Sequence, residues 1–104
     1  MLLATTDTVV GRDITATLGL VTGNTIRSKD AVRDIGAGLK SLVGGELRSY
    51  TAMMVEARQE ATKRMVAEAT ALGADAVVGV RMTTSTVSGG ASELVAYGTA
   101  VTLG

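Results

Sequence analysis

Residues 46–72 run without a glycine or a proline, and their apolar positions return every three or four residues. Leu47, Tyr50, Met54, Ala57, Ala61, Met65, Ala69 and Leu72 fall on one face of a helix at that spacing. Arg48, Thr51, Arg58, Gln59, Thr62 and Lys63 lie largely elsewhere, as a solvated face requires. Glu60 stands four residues before Arg64, the favourable order for a helical ion pair. Gly73 then offers the left-handed position at which a helix stops at little steric cost. A helix of this length spans roughly 40 Å. A compact domain of about 100 residues has a radius of gyration near 13 Å and is about 35 Å across. The helix therefore crosses its whole subunit, which favours a helix backing a sheet within an assembly.

Strand signals flank it. Residues 76–80, Ala-Val-Val-Gly-Val, are apolar throughout, and the strand they begin is expected to cover 75–87. Ser88-Gly89-Gly90 is a loop signal, and residues 91–103 return as a second strand, so the pair should form an antiparallel hairpin. Leu94, Ala96 and Ala100 face one way, and Val95, Tyr97, Val101 and Leu103 the other. Both faces are substantially apolar. A helix layer covers only one, so a second subunit is the simplest cover for the other.

Upstream, residues 1–6 suit a short edge strand, and 7–13 a polar connection. Residues 14–27 are rich in Ile, Val, Leu and Thr and read as a strand interrupted by Gly19 and Gly23. A glycine there marks a bulge or a close backbone approach; Gly23-Asn24 as a tight turn is the alternative. Ser28 and Asp30 are both N-cap candidates for a first, shorter helix over 31–43, ended by Gly44-Gly45. The expected fold is α/β (α+β) in two layers: an antiparallel or mixed sheet backed by one short and one long helix. Strands 14–27 and 75–87, if parallel neighbours, would need a right-handed crossover.

The composition narrows the chemistry. The 104 residues make one domain, residues 1–104. Hydrophobic residues are 46% of the chain, yet there is no Phe or Trp and only Tyr50 and Tyr97 are aromatic, so the core is small-residue and thin. Ten basic and ten acidic residues cancel, which argues against a nucleic-acid partner. The uncharged runs are too short for a membrane-spanning helix, and no secretory signal is read, so the cytoplasm is the expected compartment. With no His and no Cys, nucleophilic triads and zinc cages of the usual kind are excluded. Enzymatic activity, a resident cofactor and a metal site are accordingly not expected.

The remaining polar groups are weighed against plainer roles. Gly38-Leu39-Lys40-Ser41 lacks the glycine that must precede the lysine of a phosphate-binding loop. Arg33, Asp34, Glu46 and Tyr50 are the candidate ligand-binding residues, set against surface or intersubunit ion pairing. Glu56 and Glu60 could share a cation, against a solvated face; Met53, Met54 and Met65 could hold a soft metal, against core filling.

Several pieces in order resemble the YbjQ-like family of small bacterial proteins along nearly the whole chain. They are Thr5-Thr6, Gly19-Leu20-Val21-Thr22-Gly23, Arg33-Asp34, Gly44-Gly45 with Tyr50, the run 72–80, and Tyr97-Gly98-Thr99-Ala100-Val101. The resemblance implies a two-layer subunit related in shape to dodecins, assembled as a homopentameric ring. It also implies a heavy-metal-binding label, at odds with a chain whose only soft ligands are thioethers. Three functions remain open: a binding module holding a small molecule or ion at a subunit interface, a structural ring, and, least expected, an enzyme.

Overall fold

A computed structural model describes residues 1–28, 46–87 and 91–104. The elements are β1 (Leu2–Leu3), β2 (Ile14–Ser28), α1 (Glu46–Ala71), β3 (Ala76–Val87) and β4 (Ala91–Leu103). The expected short helix over 31–43, the Gly44-Gly45 break, the 38–41 segment and the Ser88-Gly89-Gly90 loop lie outside the described residues. What is described is an α+β architecture: a mixed four-stranded sheet with one helix across it.

The sheet order is β1-β3-β4-β2. β3 and β4 form the expected antiparallel hairpin, and β1 runs parallel to β3 at the edge. β2 pairs with β4, not β3, so the condition for a crossover between neighbouring parallel strands is not met. β4 lies between the two strands that α1 connects. Hairpin pairing brings β4 back beside β3, and its other edge is then open to β2.

β2 is continuous through Gly23-Asn24, so the tight-turn alternative fails, for a reason visible in the packing. A Cβ built on Gly23 would run into the helix backbone at Ala61 O and Met65 N, and would lie 2.9 Å from Arg64 C. Strand and helix thus touch backbone to backbone, and only glycine permits it. Gly19, with φ of +133°, sits where the β2–β4 register shifts and is the bulge.

The helix ends as its sequence predicts. Gly73 has φ of +81°. Its N–H donates to Thr70 O (3.0 Å), and Ala74 N–H donates to Ala69 O (3.1 Å). That pair of bonds is a Schellman cap. Asp75 ties the exit to β4: its N–H donates to Val101 O (2.9 Å), and its carboxylate accepts from Leu103 N–H (2.8 Å).

The core has two parts. On the helix side, Ala61, Met65 and Ala69 pack with Val21, Val77, Leu94, Ala96 and Ala100. Thr25 is also buried there, its hydroxyl donating to Ala57 O at 3.5 Å. On the opposite face a smaller cluster, Ala76, Val78 and Val101, is flanked by Val9, Ile14 and Leu103. A second subunit is thus not the cover at every point of that face. At one end the chain's own N-terminal segment covers it, through Val9. That segment is held by Gly79 N–H to Thr6 O (2.8 Å), and by the Arg81 guanidinium donating to Thr5 O (2.8 Å). Gly79, with φ of +62°, lies in a bulge between Val78 and Arg81 that turns Val80 and Met82 toward the helix side.

Candidate functional site

Of the four residues the sequence singles out, Arg33 and Asp34 lie outside the described residues. Glu46 is the first residue of α1, but its side chain is likewise outside them. Tyr50, one turn into α1, is half-buried. Among the described side chains, the expected constellation is therefore represented by Tyr50 alone.

The other sequence candidates take structural roles. The Glu60 carboxylate accepts from Arg64 Nε at 3.1 Å, and Arg64 Nη1 also donates to Asn24 O at 2.6 Å. Arg64 thus fastens the helix to edge strand β2. Met53 and Met65 are buried, and Met54 packs against the helix-side core. Among the described residues, no three His, Cys, Asp or Glu side chains come together as metal ligands would.

Two surfaces stand out among the described residues. The first is the sheet face turned away from α1, beyond the patch that Val9 covers. Cross-strand pairing sets out its rows. Thr22, Tyr97 and Arg81 form one row, and Asn24, Val95 and Thr83 the next. Ile26, Glu93 and Ser85 form a third. Apolar groups stand in the open here: Leu20 is 68% exposed, Ile26 57% and Tyr97 37%. Polar groups sit among them, with Asn24 Nδ2 donating to Glu93 Oε2 at 3.4 Å. Alternation along β4 had placed Val95 and Tyr97 on this face. Their neighbours on β2 were not foreseen, because the β2–β4 pairing is long-range.

The second surface is a groove between α1 and β3. It has a volume of about 410 Å³ and is lined by Arg58, Gln59, Thr62, Lys63 and Met82. It exists because α1 lies over β2 and β4 and barely reaches β3. No sequence signal pointed to it, since Met82 reaches the helix side only by way of the bulge at Gly79.

Comparison with known proteins adds a family. Residues 1–104 match the YbjQ family, described as "Putative heavy-metal-binding". A UPF0145 protein of Photobacterium profundum is 56% identical over 103 residues, covering 99% of this chain and 100% of the relative. One of Vibrio campbellii is 57% identical over 103 residues, covering 99% of each. One of the archaeon Methanosarcina acetivorans is 55% identical over 101 residues, covering 97% of this chain and 95% of the relative. The family is therefore not confined to bacteria, as the resemblance had suggested. Among solved structures, a protein of unknown function of the DUF74 family from Pediococcus pentosaceus superimposes with a TM-score of 0.60. It is 17% identical, with 100% of this chain and 98% of that one covered, and this likeness speaks to the fold alone.

Proposed function

The chain belongs to the YbjQ family, and from that premise we propose that it is a non-enzymatic, cytoplasmic homo-oligomer that associates through its open sheet face. The observation that carries this reading is the exposure of Leu20, Tyr97 and Ile26 on the sheet face turned away from α1. Large apolar groups left exposed on one sheet face mark a surface that meets another. Shape supports the same reading. The Cα radius of gyration is 16.9 Å and the extents are 53 × 27 × 20 Å, well beyond the roughly 13 Å radius of a compact domain this long. The resemblance to ring-forming subunits makes five the expected number. A small molecule or ion would sit at the subunit contacts, where Asn24, Glu93 and Arg81 lie among the apolar groups.

The family description implies a heavy metal, and the donor set does not fit one. The chain has no His and no Cys. Two of its five methionines, Met53 and Met65, are buried in packing and Met54 lies against the core. Carboxylates, carbonyls and hydroxyls suit hard ions that keep much of their water. Titration calorimetry of tag-free protein with zinc and copper should give no saturable binding tighter than roughly micromolar, about 8 kcal/mol. Nanomolar binding at a fixed number of ions per oligomer would contradict this.

Sedimentation velocity on the double variant Leu20→Glu, Ile26→Glu tests the assembly. Charges on the open face should release monomers whose circular dichroism matches the parent's. Val55→Glu, on the solvent side of α1, should leave the assembly intact. An unchanged oligomer in the double variant would place the interface elsewhere.

A further inference from the structure

The groove between α1 and β3 is lined by residues of a single chain. We propose that it binds an anionic amphiphile: a single carboxylate or comparable anion on an aliphatic body. Two observations select that chemistry. Arg58 and Lys63 line the groove, and neither has an ion-pair partner among the described residues. By contrast, Arg64 on the same helix is paired with Glu60. Two cations without ion-pair partners along one open groove favour an anion, and the guanidinium can grip a carboxylate with two parallel hydrogen bonds.

The body of the ligand follows from the rest of the lining. Met82 forms the sheet side and is exposed, an unbranched thioether that adapts to the shape of what it touches. The aliphatic stems of Arg58 and Lys63 add apolar wall beneath their charged heads. Gln59 supplies an amide donor beside the cations. The Thr62 hydroxyl donates to Arg58 O at 2.8 Å and keeps its lone pairs as acceptors. The groove has a volume near 410 Å³ and is open to solvent, so a ligand would lie along it with one side exposed. A nucleotide suits the site less well, because no aromatic side chain among the described residues lines the groove to stack a base.

Titration calorimetry on the tag-free oligomer tests this, with decanoate as probe and decanol as its uncharged counterpart. Decanoate should saturate at one per subunit, and decanol should bind at least about tenfold more weakly. Arg58→Gln with Lys63→Gln should weaken decanoate about tenfold or more and leave decanol unchanged. Both positions are exposed, so the variant should keep the parent's circular dichroism and sedimentation. Met82→Asp should weaken both probes. No saturable decanoate binding, or binding indifferent to the double substitution, would overturn the proposal. The Leu20→Glu, Ile26→Glu monomer should still bind decanoate, which separates this site from the assembly interface.

Discussion

The two faces of β4 solve opposite problems. Toward α1, Leu94, Ala96 and Ala100 are buried, and the neighbouring Gly23 lets the helix backbone touch the sheet. Away from α1, Tyr97 stands open, with Leu20 and Ile26 of β2 exposed on the same face. The sealed face is built largely of Ala, Gly and Val, and the open face carries larger apolar side chains. A helix can sit that close only where side chains are small. Each small side chain contributes little burial, and fully burying a Leu or Ile contributes about 1.5–3 kcal/mol. The subunit therefore leaves some of its largest potential contributions unused until something covers them. Close packing inside and reach outside are two consequences of one distribution of residue sizes.

Forcing the sealed face apart should do the most damage. Gly23→Val would drive a branched side chain into the helix backbone at Ala61 and Met65. A loss of about 3 kcal/mol or more is expected, seen as a collapse of the urea midpoint. A variant that unfolds like the parent would mean that strand and helix do not meet there.

Tyr97→Ala acts on the other face, where the ring is bounded by Thr22 and Arg81 across the strands. Removing it should cost up to about 3 kcal/mol of association free energy per contact, read as a shift in the oligomer's dissociation on dilution. The isolated subunit should lose less than Gly23→Val costs it, although the ring is already partly covered there. The contrast with Gly23→Val is the test, since two equivalent faces would respond alike.

Gly73→Val touches neither face directly. It forces a branched residue into the left-handed conformation that closes the helix, at a cost of about 1–2 kcal/mol. Thermal unfolding should report it, and a parental melting temperature would mean that the Schellman cap is dispensable. Arg64→Ala should have the smallest effect, below about 1 kcal/mol, because its ion pair with Glu60 is well exposed. What it should change is local: faster amide exchange in α1 near Ala61 and Met65, once the bond to Asn24 O is gone.

Much of this architecture is legible in the chain. The helix limits follow from an uninterrupted period and from Gly73, and the hairpin from Ser88-Gly89-Gly90 between alternating strands. Local rules suffice where the relevant partners are neighbours in sequence. They fail for β2, whose pairing with β4 joins Thr22 to Tyr97 and depends on which edge the hairpin leaves open. They fail also for Val9, which no periodicity marks as a lid over Val78 and Val101. Gly23 was readable as either a turn or a close approach, and only the position of α1 decides between them. The binding residues expected at Arg33, Asp34 and Glu46 were drawn from charge patterns. The groove at Arg58, Lys63 and Met82 depends instead on a bulge and on a helix set to one side of β3, which no linear pattern encodes.

Native mass spectrometry of the tag-free chain at micromolar concentration tests the central claim most directly. Association through the open face predicts one dominant closed species, expected at five times the 10.5 kDa subunit mass. A spectrum dominated by the 10.5 kDa monomer would contradict it, and would mean that Leu20, Ile26 and Tyr97 are tolerated in water as they stand.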